Sequence, residues 1–356
     1  MSGFLKTAGA LIAFFIVALV FAWFEPTQSS QIGFNGVAMQ VTDSEERMAD
    51  RLAVNEVPLA PPRVPSGPLA VDSYKNVQVL GHLTTGEFVR VMNSITAWVS
   101  PAQGCGYCHN NNDLAADDKY TKVVSRRMLQ MTMHINENWQ RHVQNTGVTC
   151  YTCHRGQPVP RYIWFQQPQN KLLDRMLGYA AQQNNPLGAR SRASLPTTSF
   201  QTFLLDDQNI RIQSGHPLPG DNRSSIKQAE WTYALMMHFS RALGVNCTYC
   251  HNSRSWADWS QSPAPRATAW HGIRMVRHLN NDWLVPLTET FPPNRLGPLG
   301  DGPKLNCSTC HQGSYKPLLG KSMLPDYPSL AKAMPQPQKG SAPTEPAADG
   351  VAGAAP

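Results

Sequence analysis

The chain has 356 residues, a length compatible with two or three domains, and a formal net charge of +7. Its 29 Pro and 25 Gly, with only 15% charged residues, favour a loop-rich globule and exclude a protein built from long regular elements. The sequence contains no dense run of Lys or Arg, so the positive charge does not indicate a nucleic-acid partner.

The first predicted element is an apolar N-terminal segment. Lys6 precedes residues 7–24 (TAGALIAFFIVALVFAWF), which carry no charge before Glu25. This run is close to the ~20 residues that cross a bilayer core as a helix. A cleaved signal peptide is the alternative, but its apolar stretch would be shorter and would end in small residues rather than in aromatic ones. The sequence therefore predicts an uncleaved membrane anchor over residues 1–24, with the N-terminus inside and the remaining chain outside.

Residues 25–80 show little periodicity and are rich in proline, as in Pro58, Pro61, Pro62, Pro65 and Pro68. This composition predicts an extended strap that lies on a surface and is not a domain of its own. Residues 335–356 are rich in Pro, Ala and Gly, which predicts a disordered tail.

All eight cysteines belong to four Cys-x-x-Cys-His motifs, Cys105/Cys108/His109, Cys150/Cys153/His154, Cys247/Cys250/His251 and Cys307/Cys310/His311. In c-type haem attachment two thiols bond the vinyl groups and the histidine ligates the iron. A redox dithiol needs no histidine after its second cysteine, and a zinc ribbon would not repeat one there four times. The motifs predict four covalently bound haem c groups, numbered 1 to 4 in chain order. Such attachment takes place outside the bacterial inner membrane, which agrees with an exported body.

The chain between strap and tail repeats itself. Each half has a first motif of the form CxYCHN and a second motif that follows an Asn-rich stretch ending in Trp, NENW or NNDW. This duplication predicts a dihaem unit at 81–157, a linker at 158–224 and a second dihaem unit at 225–334. The predicted fold class is mostly α with extensive loops: a multihaem c-type cytochrome of two pseudo-twofold-related units plus one N-terminal transmembrane helix.

A helix is predicted before the first motif of each half. Apolar residues recur on one helix face at Phe88, Met92, Ile95 and Val99, and Trp231, Leu235, His238 and Ala242 keep a similar spacing. A helix followed by a turn into the motif would place one of its residues over the far side of the iron.

The sixth iron ligand decides the chemistry, because a thioether raises the reduction potential, an imidazole lowers it and an open site permits catalysis. Met92 is the candidate for haem 1. Haem 3 leaves a choice between Met236 and Met237, which point about a hundred degrees apart on a helix. For haem 2 the candidates are Met128, Met131 and Met133. For haem 4 the repeat nominates Met275, but four histidines compete with it, namely His134, His142, His271 and His278.

Several stretches closely resemble the tetrahaem cytochrome c subunit of purple-bacterial photosynthetic reaction centres, over about residues 30–330. They include WVSPAQGCGYCHN, KYTKVVSRRMLQMT, GVTCYTCHRGQP, TYALMM, LGVNCTYCHN, TAWHGIRMVR and TCHQGSYKPLLG. The resemblance implies three His/Met haems and one His/His haem. Its ligands fall on Met92, Met128, Met236 and His142, the last serving haem 4 from the first half. It also implies that Arg266 lies near haem 3 and raises its potential, whereas Met275 becomes a packing residue.

The resemblance further implies an electron carrier and not an enzyme. It would re-reduce the photo-oxidised bacteriochlorophyll special pair on the L and M core subunits. A soluble c-type cytochrome or a high-potential iron–sulfur protein would donate the electrons at the periplasmic face of the inner membrane. Many relatives carry a lipidated cysteine after the apolar segment, which this chain lacks. The alternatives are a multihaem reductase, which needs an open iron site, and an all-bis-His quinol-oxidising cytochrome.

Overall fold

The computed structural model describes residues 2–23, 26–31, 40–168, 195–210, 212 and 226–334. Within these ranges the chain is mostly α-helical with extensive loops, which confirms that part of the predicted fold class. The helices are α1 Ser2–Trp23, α2 Glu45–Val54, α3 Ala70–Ser73, α4 Thr85–Val99, α5 Tyr120–Asn138, α6 Gln140–Val143, α7 Cys150–His154, α8 Ser199–Leu204, α9 Ile226–Leu243, α10 Pro265–His278 and α11 Cys307–His311.

Shorter helical turns lie at the motifs and in the second half. The 3-10 turns are Gly104–Tyr107, Cys247–Tyr249, Val285–Thr290, Pro293–Arg295, Pro317–Gly320, Leu324–Asp326 and Pro328–Leu330. A π-helical turn, Leu279–Leu284, continues α10. The strands β1 Thr27–Gln31 and β2 Gln40–Ser44 form an antiparallel pair.

The apolar N-terminal segment is helical, since α1 covers Ser2–Trp23. Large apolar side chains along it are exposed, among them Leu11, Phe14 and Phe21. In the portion of the chain that the structure describes, no helix has both the length and the apolar character that crossing a membrane requires. The anchor over residues 1–24 stays a prediction.

The segment 25–80 is not extended throughout, so that prediction is wrong for residues 45–54, which form α2. Ser44 caps this helix by accepting a hydrogen bond from the Arg47 amide at 3.2 Å. Glu45 and Glu46 lie in its first turn and Arg51 in its last, which suits the helix dipole. Beyond α2 the buried Asn55 donates to the Gln312 carbonyl at 3.2 Å, so this segment is held against the second half of the chain.

The predicted helices before the first motifs are α4 and α9. Helix α4 packs on the second-motif helix α7, and α9 packs on α11 in the same way. The amide of Gly156 donates to the Trp98 carbonyl at 2.7 Å, and that of Gly313 donates to the Ala242 carbonyl at 2.8 Å. Both glycines have positive φ, 80° and 85°, a conformation that glycine adopts without steric cost. The two halves thus repeat the same local connection.

A second repeated connection joins the long helix of each half to the segment that enters the second motif. The Asn136 amide group donates to the Val148 carbonyl at 2.9 Å and accepts from the Val148 amide at 2.7 Å. Asn280 makes the same pair of bonds with Leu305, at 3.0 and 2.8 Å. These asparagines belong to the repeated NENW and NNDW stretches, so the duplication noticed in sequence has a structural counterpart in these bonds.

The larger apolar core contains residues of both halves. Met131 and Ile135 of α5 pack in one cluster with Ile273 and Val276 of α10. Part of the predicted linker joins this core, because α8 buries Phe203 and Leu204 there. The rest of the linker, residues 169–194, 211 and 213–225, and the predicted tail lie outside the described residues.

Candidate functional site

A large internal cavity of about 1790 Å³ extends between the two halves of the chain. Cavities that hold one small ligand are usually about 300–1000 Å³, so this volume suits several groups of that size. Every cysteine and histidine of the four motifs lines it: Cys105, Cys108, His109, Cys150, Cys153, His154, Cys247, Cys250, His251, Cys307, Cys310 and His311. The fold therefore brings residues that are more than two hundred positions apart in the chain to one cavity.

Each motif histidine is oriented by a hydrogen bond from its Nδ1 to a backbone carbonyl. The acceptors are Leu114 for His109 at 2.9 Å, Gln157 for His154 at 2.8 Å, Trp256 for His251 at 3.1 Å and Ser314 for His311 at 2.9 Å. A carbonyl oxygen only accepts, so each Nδ1 carries the hydrogen and each Nε2 keeps a lone pair for a metal. All four histidines thus have the tautomer that an axial iron ligand requires.

Burial keeps several of the motif side chains neutral. It lowers the pKa of His311 to about 4 and also lowers the pKa of His154, so both imidazoles are uncharged near neutral pH. Burial likewise raises the pKa of the Cys150 and Cys307 thiols to about 12. Neutral imidazole is the form that binds a metal, so the environment agrees with the tautomers.

The methionine candidates divide by position. Met92, Met128 and Met236 line the cavity, as do Met131 and Met275. Met237, the neighbour of Met236, is 37% exposed, and Met133 is buried in the apolar core beside α4. Neither of these two is among the described residues that line the cavity. The position of Met236 therefore separates it from Met237, which sequence spacing alone did not.

His142 and His311 both line the cavity, and their rings lie close together. Their ring centroids are 6.0 Å apart with an interplanar angle of 67°, and His142 Nδ1 donates to the Thr268 carbonyl at 2.9 Å. Two metal–nitrogen bonds of about 2 Å each would separate two imidazole centroids by about 6 Å. Of the described non-motif histidines, only His142 lines the cavity. His134 and His278 instead face each other, with their Nε2 atoms 3.0 Å apart.

Cys153 and Cys310, the second cysteines of the second and fourth motifs, lie in direct contact. The structure joins them as a disulfide with Cα atoms 4.4 Å apart, whereas the sequence assigned each of them a haem thioether. Each of these sulfurs can form the disulfide or a thioether, but not both at once, and the thioether assignment of Cys153 and Cys310 stays a prediction. The other six cysteines are free thiols. The short Cα separation shows that the second motifs of the two halves meet directly.

Arg266 lies beside the third motif at the start of α10. Its guanidinium donates to the Asp258 carbonyl at 3.1 Å and to the Ser262 hydroxyl at 2.6 Å, and it lies 4.2 Å from the Trp259 ring centroid. Arg266 also lines the cavity. Burial is the main effect on the Cys250 thiol and raises its pKa to about 11. The nearby positive charge of Arg266 acts against burial and lowers that pKa. This arginine is held in place, and its field reaches the motif.

Sequence reasoning missed the groups that orient the ligands. The carbonyl acceptors are backbone atoms and leave no side-chain signal at Leu114 or Trp256. The buried asparagines Asn136 and Asn280 did leave a signal, because both occur in the repeated Asn-rich stretches, but a spacing argument assigns them no partner.

Paired motif cysteines, oriented histidines and several methionines around one cavity define a c-type cytochrome. A family model described as photosynthetic reaction centre cytochrome C subunit matches residues 24–331. The chain belongs to this family, whose members are electron carriers and not enzymes. The resemblance proposed from the sequence is confirmed.

Three photosynthetic reaction center cytochrome c subunits illustrate the similarity. That of Rubrivivax gelatinosus is 52% identical over 311 residues, covering 86% of this chain and 84% of the relative. That of Thermochromatium tepidum is 46% identical, covering 86% and 76%. That of Roseobacter denitrificans is 41% identical, covering 86% of each chain. Each match therefore covers most of the chain, and the residues matched by the family model include all four motifs.

Proposed function

We propose that this chain re-reduces the photo-oxidised bacteriochlorophyll special pair of a reaction centre with electrons from a soluble periplasmic carrier. The observation that carries the proposal is the cavity, which is lined by four complete attachment motifs and by a candidate sixth ligand for each. When bound, four covalent haem c groups would supply the one-electron chemistry. The protein's own residues hold, orient and tune these groups.

The proposed thioether bonds are formed by the two cysteines of each motif, including Cys153 and Cys310 in their reduced form. The proposed axial pairs are Met92 with His109, Met128 with His154, Met236 with His251 and His142 with His311. The cavity position of each side chain and the 6.0 Å separation of the His142 and His311 rings support this assignment. With every iron held on both sides, no position is left open for a substrate.

The types of axial ligand would determine the reduction potentials of the haems. Thioether ligands raise a haem potential and imidazoles lower it, so His142 would create a low-potential site among three higher-potential ones. We propose the spatial order haem 1, haem 2, haem 4, haem 3. The contact between the second motifs, with Cys153 and Cys310 Cα atoms 4.4 Å apart, supports the adjacency of haems 2 and 4. Two dihaem units related by a local twofold axis would produce this order.

Arg266 would tune haem 3. A fixed positive charge near an iron opposes loss of an electron and so raises the reduction potential. The hydrogen bonds from Arg266 to Asp258 and Ser262 support this role, because they hold the charge at a defined place.

The proposed partners are the L and M core subunits and, as donor, a soluble c-type cytochrome or a high-potential iron–sulfur protein. Nucleic acid is not among them. We also propose that residues 1–24 anchor the chain uncleaved in the photosynthetic membrane, with its body on the periplasmic face. The apolar run of residues 7–24 and the exposed Phe14, Phe15 and Phe21 support this, because large exposed apolar patches mark membrane or protein contacts.

Flash spectroscopy on membranes that contain the complex tests the proposal. A single flash should oxidise haem in this subunit as the special pair is re-reduced, and removal of the subunit should abolish that fast phase. A Met236→His variant should change the rate of haem oxidation after the flash, because it lowers the potential of the proposed haem 3, whereas Met237→His, on the exposed neighbour, should leave that rate unchanged. Haems that stay reduced after the flash in the intact complex would refute the proposed function.

A further inference from the structure

Helix α10 contains a glycine, Gly272, at a position where the backbone conformation does not require glycine. Gly272 is buried in the interior of α10 and is absent from the residues with positive φ. Glycine in a helix interior costs about 1 kcal/mol relative to alanine. Because the conformation here is one that alanine adopts, conformational freedom does not account for Gly272.

The space beside Gly272 does account for it. A Cβ at this position would lie 2.5 Å from His142 Cε1, 2.8 Å from Nδ1 and 3.2 Å from Nε2. The imidazole thus lies directly against the glycine backbone, with its Nδ1 bonded to the Thr268 carbonyl of the same helix at 2.9 Å. Any larger residue would displace the ring from its place opposite His311.

The duplication identifies the residue that stands at this position in the first half. Asn136 of α5 and Asn280 of the π-helical turn that continues α10 make equivalent bonds, which aligns α5 with α10 and its continuation. Met128 lies eight residues before Asn136, and Gly272 lies eight before Asn280. The counterpart of the proposed haem 2 ligand is therefore glycine, and Met275 is the counterpart of Met131.

We propose that Gly272 determines the ligand of haem 4. By lacking both the thioether and the Cβ of its counterpart Met128, it leaves the sixth position to His142 from the other half. Gly272 is a positioning residue, since it acts through His142 and does not itself bind iron. This inference rests on the proposed ligation of haem 4 by His142 and His311.

The test uses Gly272→Ala in the assembled complex, with electron paramagnetic resonance and near-infrared magnetic circular dichroism as readouts. Wild type should show one bis-histidine haem in four, and Gly272→Ala should lose that signal and gain a high-spin haem. Gly9→Ala is the matched control, because a Cβ at this other helical glycine would meet nothing within 4 Å. It should keep the wild-type spectrum.

Two double variants test the proposal in case the Gly272→Ala protein does not fold. If Gly272→Ala does not accumulate, adding His142→Ala removes the ring that the new Cβ would strike and should restore accumulation. His142→Ala with Gly272→Met should convert haem 4 to His/Met ligation and raise its potential. A wild-type spectrum without a bis-histidine haem would refute the ligation itself. An unchanged bis-histidine signal in Gly272→Ala, or no rescue by His142→Ala, would overturn only the role of Gly272.

Discussion

Replacement of Asn136 by Ala should destabilise the first half of the molecule. The Asn136 side chain is 6% exposed and makes three hydrogen bonds: to the Val148 carbonyl at 2.9 Å, to the Leu330 carbonyl at 2.7 Å and from the Val148 amide at 2.7 Å. A buried hydrogen bond contributes about 1 kcal/mol net, so we expect a loss of about 3 kcal/mol in the free energy of unfolding. That is a large part of the stability of a typical domain.

Denaturant unfolding followed by far-UV circular dichroism measures this loss. Asn138→Ala is the matched control, because Asn138 ends the same helix but is exposed, and among the described residues its side chain bonds to His134. It should cost less than about 0.5 kcal/mol. Val148 lies two residues before Cys150, so the haem 2 absorption of Asn136→Ala should also shift before global unfolding. Equal stability losses in the two variants would refute the clamping role of Asn136.

Three further predictions concern the site. Met236→His should lower the haem 3 potential in a redox titration and Met237→His should not, so equal shifts would contradict the assignment. Because burial lowers the pKa of His238 to about 4, the unfolded chain binds more protons below about pH 6.5, and stability falls on acidification by at most about 3 kcal/mol. His238→Phe should flatten that fall in urea titrations at pH 7 and 4.5, and an unchanged slope would refute it. Arg266→Gln should lower the haem 3 potential, whereas Arg266→Lys, which keeps the charge, should leave the potential close to that of the wild type. Equal potentials in the two variants would show that the charge has no role.

Local periodicity predicted the helical part of the site. The recurrence of Phe88, Met92 and Val99 on one face corresponds to α4, and the spacing from Trp231 to Ala242 corresponds to α9. The motifs likewise identified the cysteines and histidines that line the cavity. These features depend on residues close together in the chain, where spacing determines which side chains share a face.

Spacing along the sequence did not predict the contacts between residues that are far apart in the chain. The contact between Cys153 and Cys310 joins positions 157 residues apart, and the ring of His142 meets Thr268 and Gly272 on another helix. Helix α2 was a different failure, since the Ser44 cap and the acidic first turn were local signals outweighed by the proline content around them. Tertiary packing determines the long-range contacts, whereas a local cap and an acidic first turn determine where α2 begins.

The two halves contain equivalent hydrogen bonds between side chain and backbone. They differ in whether the side chains of a proposed haem site come from one half or from both. The Asn136 and Asn280 bonds to Val148 and Leu305 remain within one half each. The His142 bond to Thr268 instead crosses between halves, as does the Arg155 bond to the Cys310 carbonyl at 3.3 Å. Damage at His142 should therefore reach the second half. The proposed haem 4 site is therefore one place where the two halves depend on each other, beside the apolar core that they share.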